Sequence, residues 1–314
     1  MQDDYIRSRG FALTLARRAV DDLRRDQFRQ LRNYVDLCQA LASKSRFNAF
    51  FAQAQQVLER ADSLYDSLLQ TLMEQVDGER LCNFGVNFGA GGIVYGAARL
   101  KEEIERTGQP GAWLNTANCA SAGLEEAVCR AEEAGKYVWV LYAQDAASAA
   151  KGVALADAHP YSAFVLMASP AVFAAMPEDS FDRASNLNLG LLLPGPVLDE
   201  ESRDISRRMR ERKLLFGFAV PVAESAAQRA MDPEWLQELS RWAPLCLYVR
   251  EPDMSSATAR QLREAVIAHR TESASPLLLL EWDGDLQAVN QGISDRVVVG
   301  APVDAEAPFP FSRG

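Results

Sequence analysis

Apolar residues in the first quarter of the chain recur at intervals of three and four, the period of a helix with one buried face. One such stripe, between Phe47 and Val76, comprises Phe50, Phe51, Ala54, Val57, Leu58, Ala61, Leu64, Tyr65, Leu68, Leu72 and Val76. An earlier stripe, broken once near Phe28, comprises Leu13, Ala16, Val20, Leu23, Phe28, Leu31, Val35 and Cys38. With residues 43–45 as the turn, the pattern predicts a long helical hairpin within residues 1–80. Its apolar faces either pack on each other and on the next domain, or form a surface for a second copy or a partner.

After residue 81 the pattern changes to short, almost wholly apolar runs that alternate with amphipathic segments. The runs predict strands at 112–115, 137–142, 162–167, 187–193, 214–222, 244–249 and 276–282. The segments between them predict helices at 123–134, 146–157, 170–176, 199–212, 232–242 and 257–270. Strands that are apolar on both faces are typical of parallel sheets covered by helices. The predicted fold is therefore α/β, a partial (β/α) TIM-like barrel over residues 81–314 that follows the N-terminal long helical hairpin.

A glycine-rich stretch, CNFGVNFGAGGIVYG at residues 82–96, links the two parts. Val94 stands where a dinucleotide-binding motif needs its third glycine, and no lysine follows to meet a phosphate. The stretch is therefore interpreted as a flexible connector.

Charge and composition exclude several classes of partner. The formal net charge of the 314 residues is −10, which repels nucleic acid and anionic membrane surfaces. No apolar run approaches the ~20 residues that span a bilayer, and the N-terminus carries charges within its apolar stretch, unlike a signal peptide. The sequence therefore predicts a cytoplasmic protein that binds neither nucleic acid nor membrane.

The cysteines and histidines show no spacing typical of a disulfide, a metal site or a catalytic pair. Five cysteines lie singly, at positions 38, 82, 119, 129 and 246. Cys129 and Cys246 are in apolar surroundings and are predicted to be small core residues. His159 and His269 lie at predicted helix ends, where capping is expected. The sequence predicts no metal ligand, and Ser–His or Cys–His hydrolysis is a weak hypothesis.

Polar residues after several strands form the candidate site. In a parallel barrel the carboxyl ends of the strands share one rim, where such folds carry their chemistry. Acids there could hold a divalent cation or transfer protons, or they are simply solvated loop residues. The candidate ligand-binding residues are Asn115, Asn118, Cys119, Gln144, Asp145, Glu251 and Asp283.

Several stretches of residues 80–314 carry a family resemblance. They are VNFGAGGIVYGAARLKEEIERTG, GAWLNTANC, GLEEAVCRAEEAGKYVWVLYAQDA, RERKLLFGFAVPVAES, DPEWLQEL, EWDGDLQAV and VVVGAPVDAEAPFPFS. Together they resemble bacterial proteins of the radical S-adenosylmethionine (radical SAM) superfamily, most specifically in LLFGFAV and the DPEWL that follows. The resemblance implies a partial barrel in which a CxxxCxxC motif after the first strand holds an iron–sulfur cluster.

The chain departs from this family where the family holds its cluster and cofactor. After the first strand it reads NTANCASAGLEE and provides only Cys119, and one thiolate cannot hold a cluster that needs three. Ala143, Gln144, Asp145 and Ala146 replace the glycine-containing turn that meets the cofactor's methionine. Prolines stand at 194 and 196 in the loop after the fourth strand, and Phe309 stands where a tail cysteine is expected.

The resemblance and its departures together imply a degenerate, non-catalytic member with no cofactor, metal or catalytic residue. Such a protein would act as a scaffold, regulatory or substrate-presenting partner, for example of an active paralogue. Its partner would be another protein or a second copy, bound through the N-terminal helices. One alternative is a repurposed barrel that binds a small molecule or performs cluster-free chemistry at the rim; another is an ordinary barrel enzyme unrelated to this family. If apolar side chains fill the open end of the barrel, the role as a scaffold or partner protein is favoured. If a cavity with convergent polar groups lies there, binding of a small molecule or chemistry at the rim is favoured.

Overall fold

The computed structural model describes residues 2–23, 64–273, 275–297 and 301–302. Helix α1 (Gln2–Leu23) covers the start of the stripe that begins at Leu13. Helix α2 (Leu64–Gln75) covers the end of the stripe that lies between Phe47 and Val76. The turn at 43–45 and the remainder of both arms lie outside the described residues, so the hairpin stays a prediction. Within the described part of the chain, no helix is both long enough and apolar enough to cross a membrane.

The core is a parallel sheet curled into a half-barrel. Its strands run in the order β7-β6-β5-β4-β3-β2-β1-β8, so consecutive strands are neighbours throughout the first seven. All seven predicted strands are confirmed, and a short β8 pairs with β1. The strands are β1 (Leu114–Asn118), β2 (Val138–Tyr142), β3 (Ala163–Ala168), β4 (Leu187–Leu192), β5 (Phe216–Val222), β6 (Leu245–Arg250), β7 (Leu278–Glu281) and β8 (Ala301–Pro302).

The predicted helices between the strands are also confirmed. They cover the outer face of the sheet, where Val128, Ile205 and Leu262 join Leu166 and Phe218 in the largest core cluster. Side-chain caps fix several helix starts: Asp199, Asp232 and Ser255 each accept a hydrogen bond from a backbone N–H of the first turn. The crossover helices are α5 (Leu124–Glu133), α6 (Ala146–Ala158), α7 (Pro170–Ala174), α8 (Glu200–Glu211), α9 (Ala227–Ala230), α10 (Pro233–Trp242) and α11 (Ser256–Glu272).

The prediction of a flexible glycine-rich connector is wrong. Residues 78–107 form one continuous helical segment: α3 (Gly78–Val86), a π-helical stretch (Asn87–Gly96) and α4 (Ala97–Thr107). The segment passes the amino-terminal ends of successive strands, because Arg80 donates to Ala184 O before β4 and Asn87 to Ser162 O before β3. The predicted domain boundary at residue 80 falls inside α3, and the division into two domains stays a prediction.

Glycines allow this close passage. A Cβ at Gly92 would lie 2.3 Å from Val138 Cγ2, and a Cβ at Gly96 would lie 2.8 Å from the backbone oxygen of Gly135. A Cβ at Gly91 would lie 2.3 Å from the hydroxyl oxygen of Tyr5. The glycines therefore permit close packing of a helix, and their conformational freedom is not needed here.

The inner face of the sheet is covered by this helical segment and by a C-terminal helix that the sequence did not predict. The predicted strand at 276–282 ends at Glu281, and α12 (Trp282–Ile293) begins at the next residue. The inner-face core includes Leu100 of α4, Trp113, and Trp282 and Ile293 of α12. The indole Nε1 of Trp113 donates to Asn290 Oδ1 at 2.8 Å in a buried contact and joins α12 to the start of β1.

Candidate functional site

The first group of predicted site residues lies in and after β1. Asn115 is buried inside the strand, on the face it shares with Ala117, which packs against the outer helices. Its Nδ2, like Nε1 of Trp139 in register with it on β2, is buried without a hydrogen-bond partner among the described residues. Asn118 ends the strand, and its Oδ1 accepts a hydrogen bond from Ala120 N at 2.8 Å. The Asn118 side chain therefore shapes the turn at the rim.

Cys119 turns its thiol away from the rim and into the outer core. Only 3 % of the residue is exposed, and a Cβ added at Gly152 of α6 would lie 2.9 Å from its Sγ. Burial raises the pKa of the Cys119 thiol to about 12. A thiol in this state is neither an available ligand nor a nucleophile at neutral pH.

The cysteines consequently differ in reactivity. We expect iodoacetamide to alkylate Cys129 in the folded protein at neutral pH, because it is exposed, while Cys82, Cys119 and Cys246 react at least about a hundredfold more slowly. Peptide mass spectrometry after timed quenching measures each site, and the urea-unfolded protein supplies the control in which all react. Labelling of Cys119 as fast as Cys129 would contradict the buried position.

Cys129 also corrects the prediction that it is a core residue. On α5 the buried positions share one face, and residue 129 lies off that face; they are Leu124, Ala127, Val128 and Glu132. The spacing of the apolar residues in this helix could have predicted that Cys129 is exposed. Cys246 is buried as predicted, and burial raises the pKa of its thiol.

The second group, after β2, serves as a helix cap. Asp145 is the N-cap of α6: its Oδ1 accepts from Ser148 N at 2.7 Å, and its own N–H donates to Ser148 Oγ at 3.2 Å. The hydrogen bond from Ser148 N to the carboxylate lowers the pKa of Asp145, because it favours the ionised form. Gln144 beside it is exposed. The reciprocal capping box with Ser148 explains the position of the Asp145 side chain without a ligand.

The third group, after β6 and β7, forms an ion-pair network. Arg250 donates to Glu281 Oε1 at 2.8 Å and lies 2.9 Å from Asp283 Oδ2. The three carboxylates of this network are those of Glu281, Asp283 and Asp285, and the three guanidiniums are those of Arg250, Arg263 and Arg270. Glu251 is half-buried, and its backbone N–H donates to Val222 O at 3.0 Å. Among the described residues, no group of His, Cys, Asp and Glu could hold a metal ion.

The sheet places the first and second groups side by side and the third group apart from them. Asn118 is in register with Tyr142, so the residues that follow β1 and β2 are neighbours. Glu281 is in register with Tyr248 on β6, so Glu251 and Asp283 follow adjacent strands. The strands β3, β4 and β5 separate the third group from the other two.

Sequence reasoning missed a buried polar network at the opposite, amino-terminal end of the strands. Arg9 donates through Nε to Asn87 Oδ1 at 2.6 Å and through Nη2 to Pro160 O at 3.1 Å. Glu132 accepts from Ser162 Oγ at 2.6 Å and lies 3.1 Å from His159 Nδ1. The carboxylate thus lies between serine and histidine, which excludes a Ser–His catalytic pair here. The members of this network come from α1, the π-helical stretch, α5 and the loop before β3, and no local motif marks them.

The two histidines are placed near their predicted helix ends. His159 follows α6 as its C-cap, and its backbone N–H donates to Leu155 O. His269 lies in the last turn of α11 with Nε2 3.0 Å from Leu277 O. Burial lowers the pKa of His269, which disfavours the cationic form that a helix dipole would attract.

The inner face of the sheet carries polar atoms that the sequence did not single out. Thr116, Val140, Val165 and Asn188 lie in one row across β1 to β4. Thr116 Oγ1 and Asn188 Oδ1 are buried without a hydrogen-bond partner among the described residues. Tyr142 and Leu192, nearer the rim on the same face, are half-buried. This face is mainly apolar, with few polar groups.

Two surface clefts lie away from the rim. One, of about 520 Å³, lies near the amino-terminal ends of the strands and is lined by Asp77, Arg80, Asp182 and Lys213, among others. The other, of about 610 Å³, lies between α8 and α10 on the outside of the half-barrel.

Comparison with known proteins leaves the chain without an assigned family. No family model matches the sequence, and no curated protein matches it significantly.

Proposed function

We propose that this chain is a non-catalytic, radical-SAM-like protein that lacks iron–sulfur clusters. Its half-barrel would be a partial TIM-like barrel that acts as a scaffold, regulatory or substrate-presenting partner, for example of an active paralogue. The observation that carries the proposal is the position of Cys119. The cysteine after β1 is packed against α6 with a pKa raised by burial, and it does not fit the role of a cluster ligand.

Three other rim residues support the same proposal, because each of them already has a structural partner. Asp145 caps α6, and Asn118 holds a turn. Asp283 lies in an ion-pair network in which arginines balance the carboxylates. A general acid or base needs a carboxylate directed at a substrate, and these carboxylates are directed at the protein itself.

The proposal includes a protein partner and a location. The N-terminal helices are the proposed interface, to another protein or to a second copy of this chain. The net charge of −10 favours partners other than nucleic acid or anionic membranes. The proposed compartment is the cytoplasm, where five singly placed cysteines remain reduced.

A second candidate function is the binding of a small molecule on the inner face. Thr116 is only 2 % exposed, and its Oγ1 has no partner among the described residues. A buried polar atom without a partner is costly, and a ligand with a matching group would remove that cost. The half-buried Tyr142 and Leu192 would supply apolar contact.

A native mass spectrum of the untagged protein, purified anaerobically from its own host, tests both candidates. We expect the mass of one or more bare chains, or of this chain with a second protein. An excess mass that matches an iron–sulfur cluster would overturn the main proposal. An excess mass that matches an organic molecule would instead favour the second candidate, and the variant Thr116→Val should then release that molecule.

A further inference from the structure

The groove between α8 and α10 combines positive charge with an aromatic side chain in an acidic protein. Its lining residues are Arg203, Arg210, Arg229, Glu234, Gln237, Glu238, Arg241 and Trp242. The lining therefore has four guanidiniums against two carboxylates, whereas the whole chain has a formal charge of −10. Such a local reversal of sign attracts anions.

Two of the four guanidiniums are already paired with carboxylates. Arg203 donates to Glu238 Oε1 at 2.6 Å, and Arg229 donates to Asp232 Oδ2 at 2.6 Å. In each pair the two charges offset each other, so these two arginines contribute little free charge to the groove.

Arg210 and Arg241 have no carboxylate partner among the described residues. Arg210 donates through Nη2 to Trp242 O at 2.7 Å and to Arg241 O, which are the last carbonyls of α10. Arg210 thus caps this helix, and its Nε is buried with no hydrogen-bond partner within the ranges that the structure describes. Arg241 is exposed, with no side-chain partner in the described part of the chain. Both cations therefore keep the capacity to bind an anion.

Trp242 adds an apolar surface beside Arg210. It is half-buried, and the Arg210 guanidinium carbon lies 6.0 Å from its ring centroid. Arginine and tryptophan are the residues that most often carry the binding energy at protein interfaces. The groove thus offers two charges and one apolar surface on rigid helices.

We propose that this groove binds an acidic segment of a partner protein, with carboxylates at Arg210 and Arg241 and an apolar side chain on Trp242. A nucleic acid would bring a continuous row of phosphates past Glu234 and Glu238, which repel it. A peptide can place its carboxylates selectively. The inference goes beyond the proposed function and does not depend on it, because a catalytic protein could carry the same groove.

Fluorescence anisotropy with a fluorescein-labelled peptide of alternating glutamate and leucine tests the proposal. We expect the full chain to bind this peptide and not a glutamine–leucine peptide of equal length. Arg241→Glu should weaken binding at least about tenfold. Arg106→Glu is the matched control: it makes the same charge change at an exposed residue of α4, outside the groove, and should change binding by less than about twofold.

Several outcomes would overturn the proposal. They are no binding of the glutamate peptide, equal weakening by Arg241→Glu and Arg106→Glu, or equally tight binding of single-stranded DNA. A change of oligomeric state in Arg241→Glu would assign the groove to a second copy and also overturn it. Matching urea unfolding curves for both variants ensure that each is folded. None of these results depends on whether the protein carries a cluster.

Discussion

Replacing Gly96 with alanine should destabilise the protein by about 2–3 kcal/mol. The added Cβ would lie 2.8 Å from Gly135 O and 2.9 Å from Gly91 O. Both atoms belong to the backbone, so no side-chain rotation relieves the contact. The helical segment 78–107 would have to move away from the turn before β2. Urea unfolding followed by circular dichroism measures the loss as a lower midpoint at an unchanged slope.

Gly89→Ala is the matched control on the same helical segment. A Cβ at Gly89 meets no atom within 4 Å, and alanine favours a helix over glycine by up to about 1 kcal/mol. This variant should therefore be neutral or slightly stabilising. If both variants changed stability equally, the close packing of the glycine-rich segment would be refuted, and the interpretation as a flexible connector would regain support.

The strands and crossover helices could be predicted because their signals are local. A parallel strand covered on both faces is a short apolar run, as in residues 138–142, and caps such as Asp199 and Asp232 mark the helix starts within a few residues. Strand order follows from the same regularity, since consecutive parallel strands joined by helices are usually neighbours.

The glycine-rich segment and α12 could not be predicted because their structure depends on distant contacts. Gly92 and Gly96 look like breakers until Val138 and Gly135, about forty residues later, are packed against them. Trp282 continues an apolar run in the sequence, but the Glu281 carboxylate caps a helix at that residue and ends the strand.

The candidate site was predicted by position in the chain, and its chemistry depends on partners that position does not reveal. Asp145 and Asp283 do follow strands, as predicted. Asp283 is neutralised by Arg250, more than thirty residues away, and Asp285 by Arg263 and Arg270 on α11. A sequence shows that acids follow strands; it does not show which cations lie opposite them.

Glu281→Ala should be the most damaging single change in that network, with a cost of roughly 3–5 kcal/mol. The Glu281 side chain is 1 % exposed, accepts from Gly284 N at 2.8 Å, and lies 2.8 Å from Arg250 Nε. Its removal uncaps α12 and takes a carboxylate from the side of a partly buried guanidinium. A Cβ at Gly284 would lie 2.5 Å from Glu281 Oε2, so the surrounding chain is shaped around this carboxylate.

Glu102→Ala is the control for that variant, because the Glu102–Arg99 pair has the same chemistry at the surface. The distance is 3.0 Å, but the side chain of Glu102 is 66 % exposed, so its loss should cost less than about 1 kcal/mol. Urea unfolding of both variants compares them directly. Similar small losses would show that the network is solvated, which would return these acids to the list of groups available for chemistry at the rim. A large loss confined to Glu281→Ala would mean that the rim acids hold α12 over the inner face of the sheet, which would support the proposed non-catalytic role.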